Sequence, residues 1–91
     1  MFIVVCYDIP DDRRRNKVAE SLEGYGYRVQ KSVFECEVTP DIFDKMKKKL
    51  SRWIKTDEDS LRYYQLCQEC LKKITIEGLG EVMREKLYFV V

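Results

Sequence analysis

Six apolar or aromatic residues in a row, Phe2 to Tyr7, run straight into a carboxylate in "FIVVCYD". A strand with one wet face would alternate apolar and polar residues. An unbroken run is instead what a central strand buried on both faces requires. The rest of the chain must therefore supply strand neighbours on both sides and something to cover them. It must also account for Asp8, because an acid adjoining a buried strand is costly unless it has a partner.

The segments that follow meet the first demand. Pro10-Asp11-Asp12 predicts a helix start, with Asp11 as N-cap and the acids suited to the positive end of the helix dipole. Val18, Ala19 and Leu22 mark its inner face, and Gly24 or Gly26 ends it. "YRVQKSVFECEV" holds two short apolar runs around Lys31-Ser32, a tight hairpin. Thr39-Pro40-Asp41 opens a second helix, with Thr39 as N-cap and Pro40 at its first position. Ile42, Phe43, Met46, Leu50, Trp53 and Ile54 give that helix its apolar stripe. Asp57 to Asp59 is a polar break. "SLRYYQL" and "LKKITIEG" read as two further strands, and "KLYFVV" as a last short one.

Strand, helix, strand, strand, helix, strand is the ferredoxin-like α+β arrangement, with two helices on one face of an antiparallel sheet. The expected organisation is a ferredoxin-like domain over 1–78 and a C-terminal extension over 79–91, its short strand in dimer or partner contact. Apolar strand sequence beyond a complete sheet invites pairing with a second chain's edge, hence a homodimer. A 91-residue chain buries a modest fraction of its surface, which makes a partner a common remedy.

Net charge is +1, so any nucleic-acid role must come from local basic clusters. No segment is long enough to cross a membrane, and the N-terminus lacks the basic region of a signal peptide; a cytoplasmic protein with reduced cysteines is expected. Cys6 and Cys36 read as buried small hydrophobes. Cys67 and Cys70 form a C-x-x-C that, alone and with no His in the chain, is half a zinc site; incidental packing is the plainer expectation.

The absence of His excludes a Ser-His-Asp triad, His-dependent ribonuclease chemistry and the usual hydrolytic zinc sites. Among sixteen acids Asp8 stands out by its position at the strand end. Two readings stay open. Asp8 caps the turn into the first helix or pairs with a nearby arginine; or it holds Mg²⁺, which one or two carboxylates, waters and substrate phosphates suffice to bind. A two-fold dimer would bring two copies of Asp8 together, and a divalent cation would relieve their repulsion. Arg13, Arg14, Arg15 and Lys17 follow Asp8 directly and suit phosphate contacts. Arg28 and Lys31 add charge in the hairpin. Lys45, Lys47, Lys48, Lys49, Arg52 and Lys55 form either a solvated helix face or a second phosphate surface. Tyr63 and Tyr64 are expected in the core rather than stacked on bases.

"VVCYDIPDD" with the basic residues up to Lys17-Val18, then "GYRVQKSVFECEV", a Pro-started helix, "DSLRYYQL" and "KITIEG", together resemble the small CRISPR-associated endonuclease of adaptation, the second of the conserved core CRISPR proteins. The likeness runs from Phe2 to about Gly78. "YD" closing the first strand and "VQKSVFE" some twenty residues later are specific as a pair. The resemblance implies a ferredoxin-like homodimer with Asp8 of each protomer facing the other across a cleft and binding Mg²⁺ or Mn²⁺. It implies an endonuclease acting on single-stranded RNA or double-stranded DNA in spacer acquisition for antiviral defence. Tyr7, Asp8, Arg15 and Lys17 fall on its catalytic positions, and Arg28, Ser32 and Phe34 on its hairpin motif. Lys17 stands where some members have Arg, which keeps the charge but loses the bidentate fork. The family dimer also bridges two dimers of the CRISPR integrase and holds duplex DNA, a role in which Asp8 need not cut.

Overall fold

The computed structural model describes residues 1–80. β1 (Phe2–Asp8), α1 (Asp12–Glu23), β2 (Gly26–Gln30), β3 (Val33–Glu37), α2 (Pro40–Ser51) and β4 (Ser60–Leu66) follow the expected order, and a short α3 (Gln68–Leu71) comes after them. The strands form one antiparallel sheet in the order β2-β3-β1-β4. This is the ferredoxin-like split βαβ topology, in which each helix links two parallel strands with one strand of the other unit between them.

Local chemistry explains the boundaries. Asp11 accepts the Arg14 N–H at 2.9 Å and caps α1; Thr39 accepts the Ile42 N–H at 3.2 Å and caps α2. Lys31 and Ser32 turn the β2–β3 hairpin, as the sequence implies. Gly26 is required by close approach: a Cβ there would lie 2.2 Å from the Glu35 carbonyl oxygen and 2.7 Å from Cys36 Sγ.

Ile3, Val5, Tyr7 and Ile9 point to one side of β1 and pack with Phe34 and Cys36 under Val18, Ala19 and Leu22 of α1 and Met46 and Leu50 of α2. The α2 stripe is narrower than expected. Phe43 is half-buried and Ile42, in the first turn, is exposed; Trp53 and Ile54, expected on the helix, are half-buried but lie past its end, where Arg52 caps it.

The other side of β1 departs from the expectation of burial on both faces. Phe2 is buried beneath Leu71, with Val4, Leu66 and Ile74 around it. Val4 and Cys6 are half-buried and Asp8 is exposed, so cover is lost progressively along the strand. The cover comes from a segment expected to be a strand. "LKKITIEG" forms none: the Lys73 and Ile74 N–H groups donate back to the Cys70 and Leu71 carbonyls, which commits them to turns rather than a ladder. Leu71 and Ile74, three residues apart, face the sheet, while Ile76 is exposed. "KLYFVV" and most of the 79–91 extension lie outside the described residues.

Candidate nuclease site and basic surfaces

β1 pairs with β4 along its whole length, Phe2 opposite Leu66 through Asp8 opposite Ser60, but with β3 only as far as Cys6. Tyr7 keeps a backbone link to the hairpin, its N–H donating to the Ser32 carbonyl at 3.1 Å. Asp8 therefore projects beyond the better-supported part of the strand. Its carboxylate accepts no hydrogen bond and makes no ion pair among the described residues. That removes the first of the two open readings, because the cap is Asp11, Arg14 and Arg15 pair with other acids, and Arg13 forms no ion pair with Asp8.

Antiparallel register carries Ser60, Arg62 and Tyr64 to the same face as Cys6 and Asp8. With the edge of Tyr7, these residues line an open depression of about 400 Å³. The Arg62 guanidinium lies 3.4 Å from the Tyr64 hydroxyl, and that hydrogen bond raises its pKa further. Tyr64 is thus an exposed residue rather than a core one. Tyr63 on the opposite face meets the expectation: its ring packs edge-on against Phe43 at 5.4 Å, and burial pushes its hydroxyl up to about 12. Period-two reading of "SLRYYQL" puts Ser60, Arg62 and Tyr64 on one face. Which face that is depends on the pairing with β1, which the sequence leaves open.

The structure distributes the remaining site candidates over three places. Tyr7, Arg28, Lys31, Ser32 and Phe34 gather at the hairpin end. There the Tyr7 hydroxyl donates to the Lys31 carbonyl at 3.2 Å, Arg28 Nη2 donates to the Tyr7 oxygen at 3.2 Å, and the Arg28 guanidinium sits 5.4 Å from the Phe34 ring centre. Phe34 is fully buried. This knot ties the hairpin tip to the end of β1 from the helix side of the sheet, and Asp8 emerges on the other.

Arg15 lies over the loop after Asp8: Nη1 donates to the Ile9 and Pro10 carbonyls at 3.1 and 3.4 Å, and Nη2 pairs with Asp12. Lys17 does not reach the depression. Its ammonium stands 5.6 Å from the Trp53 ring centre, with Glu20 as its ion-pair partner.

Arg14 is committed to structure. Its Nε and Nη2 bind the Asp59 carboxylate at 2.9 and 3.1 Å, and Nη2 also reaches Glu58 at 2.9 Å. Asp59 is closed off from solvent and takes the Lys55 N–H as well; these donors, Arg14 foremost, hold its pKa below the usual carboxylate range.

The helix layer carries a second surface. Arg13, Arg14, Arg52, Trp53 and Asp11 line one hollow of about 390 Å³, and Tyr25, Lys45, Lys48, Lys49 and Arg52 line another of about 320 Å³. Arg52 belongs to both, so the two form one strip. Arg13, Lys45, Lys48 and Arg52 have no carboxylate partner among the described residues, although acids are nearly as numerous as bases in the chain.

Fold and site together define a small ferredoxin-like α+β protein with a free carboxylate, an arginine and a tyrosine on its open sheet face and unpaired cations on its helices. The family model for CRISPR associated protein Cas2 matches residues 1–74, and the chain belongs to that family. A relative from Synechocystis sp., named CRISPR-associated endoribonuclease Cas2 3, is 51% identical over 79 residues, 86% of each chain. The crystal structure of Streptococcus pyogenes Cas2 at pH 6.5 superposes with a TM-score of 0.76 at 36% identity, over 86% of this chain and all of that one. A chain of a partial Cas6-RT-Cas1--Cas2 complex gives 0.73 at 34% identity, over 82% of this chain and 88% of its own. No helix among the described residues is long and apolar enough to cross a membrane.

Proposed function

We propose that this chain is a cytoplasmic CRISPR-associated, metal-dependent endonuclease that cleaves phosphodiester bonds of single-stranded RNA or double-stranded DNA during spacer acquisition. The observation that carries this reading is the exposed, unpartnered carboxylate of Asp8 beside Arg62. The endoribonuclease names of relatives at half identity support it.

Asp8 offers hard oxygen donors, the ligand type that Mg²⁺ or Mn²⁺ prefers. No cluster of three or more potential ligands exists among the described residues. One carboxylate per chain fits a site completed by waters, substrate phosphates and the Asp8 of a second protomer. When bound, the cation supplies Lewis-acid polarisation of the phosphodiester and a lowered pKa for the attacking water. The chain's own groups bind and orient. Arg62 donates N–H groups to a phosphate oxygen, and the exposed Tyr64 ring offers a surface for a base. Arg15, by holding the Ile9 and Pro10 carbonyls, fixes the turn that aims Asp8. The Tyr7–Arg28–Lys31 knot keeps the strand end from fraying. Lys17 belongs with the helix-face cations rather than with the reacting phosphate.

A second reading has its own observation, the unpaired strip of Arg13, Lys45, Lys48 and Arg52. There the homodimer is a scaffold: its helix faces grip duplex DNA through the backbone, without sequence readout, while it bridges copies of the CRISPR integrase. The likeness to a chain of a Cas1–Cas2 assembly supports this role. The discriminating experiment compares wild type with Asp8→Ala, both checked as dimers, for cleavage of RNA and DNA with Mg²⁺ or Mn²⁺ and for duplex binding. Cleavage lost with binding kept supports the nuclease. Equal cleavage by both proteins overturns it, and binding without cleavage by either leaves the scaffold.

A further inference from the structure

Cys67 and Cys70 are both exposed, contrary to the expectation of incidental packing, and their sulfurs lie 3.5 Å apart. The backbone between them is well anchored. The Leu71 N–H donates to the Cys67 carbonyl at 3.0 Å, and the next side chain, Leu71, is buried against Phe2. Two thiols are thus held together on a turn whose core contact is made by a neighbouring residue, so their chemistry is free to change without disturbing the packing. In one helical turn the Cα atoms of residues three apart are about 5 Å from each other, inside the roughly 4.4–6.8 Å that a disulfide spans. A disulfide is about 2.05 Å long, so the sulfurs have roughly 1.5 Å left to close. The pair is also asymmetric: the backbone N–H and thiol of Cys70 stabilise the Cys67 thiolate and lower its pKa, while sharing its proton raises that of Cys70.

We propose that Cys67 and Cys70 are a thiol–disulfide exchange site whose co-substrate is a small-molecule disulfide of the oxidised-glutathione class, with Cys67 as the attacking sulfur. The Cys67 thiolate attacks one sulfur of the disulfide, forming a mixed disulfide and expelling one thiolate. Cys70 then loses its proton to solvent and attacks Cys67 Sγ, expelling the second thiolate. The two released thiolates are protonated by solvent to small thiols; in all, the protein loses two protons and two electrons and the small disulfide is reduced. The product is a covalent staple across α3.

The test incubates the purified full chain in buffers of increasing oxidised-to-reduced glutathione ratio, then alkylates and measures intact mass. The expected result is joint loss of both alkylation sites within one chain, with no chain-to-chain link. Cys70→Ser should accumulate a glutathione adduct at position 67, and Cys67→Ser should react more slowly, on the order of tenfold. Both thiols staying alkylatable in buffers that oxidise ordinary dithiols would overturn the proposal, as would a mixed disulfide on wild type that never resolves. A parallel titration with Zn²⁺ alone that gives one ion per two chains and blocks exchange would overturn it in favour of a metal bridge.

Discussion

Asp8 and Asp59 are near neighbours with opposite fates. Asp59 immediately precedes Ser60, and Ser60 pairs with Asp8 across the β1–β4 ladder. Asp59 is closed off from solvent and held by Arg14 and the Lys55 N–H; Asp8 is open to solvent and held by nothing among the described residues. A satisfied carboxylate fixes the loop that delivers β4. A bare one at the end of a strand is available to bind. Burial with donors and exposure without them thus separate an acid committed to the fold from one that the fold leaves uncommitted among the described residues, although the two sit within a residue of each other in register.

The contrast is tested most severely at Asp8. Asp8→Ala should lower metal-dependent cleavage on the order of 100-fold or more, about 2.7 kcal/mol of barrier, and leave the melting temperature unchanged. Undiminished cleavage would break the contrast. Asp59→Ala should do the reverse: thermal unfolding shifts clearly downward because the Arg14 guanidinium loses its main partner, while turnover per folded protein is retained. A finer test is pH. The folded-state pKa of Asp59 is depressed, so its contribution is fully present above the ordinary carboxylate value of about 3.9 and is lost as pH falls through the lower folded value. Denaturant midpoints of wild type and Asp59→Asn should converge in strong acid; a constant gap down to pH 2 would argue against the clamp. The smallest effect is expected at Tyr63, whose buried hydroxyl has no hydrogen-bond partner among the described residues. Tyr63→Phe should raise stability by about 1 kcal/mol, read from the same midpoints.

Features governed by near neighbours in the chain were legible in the sequence. The Asp11 and Thr39 caps, the Lys31-Ser32 hairpin and the β1 run all follow from a few adjacent side chains. So does the ferredoxin-like order, because it follows from the sequence of elements. What the sequence hid depends on long-range pairing. Arg14 reads as one of three equivalent arginines until Asp59, forty-five residues on, is seen to hold it. Arg62 and Tyr64 gain meaning only from register. "LKKITIEG" reads as a strand because Ile74 and Ile76 alternate with Lys73, Thr75 and Glu77, yet Leu71 packs on Phe2 and turns take the backbone donors a strand would need. Cys67 and Cys70 looked inert because nothing local announced that both would face solvent.

Among the described residues β4 is the rim of the sheet, and past Cys6 it is the only strand still laddered to β1. A body seated along that rim would be a single ladder away from Asp8. Under the proposed function, anything that pulled on β4 would be felt first at that carboxylate.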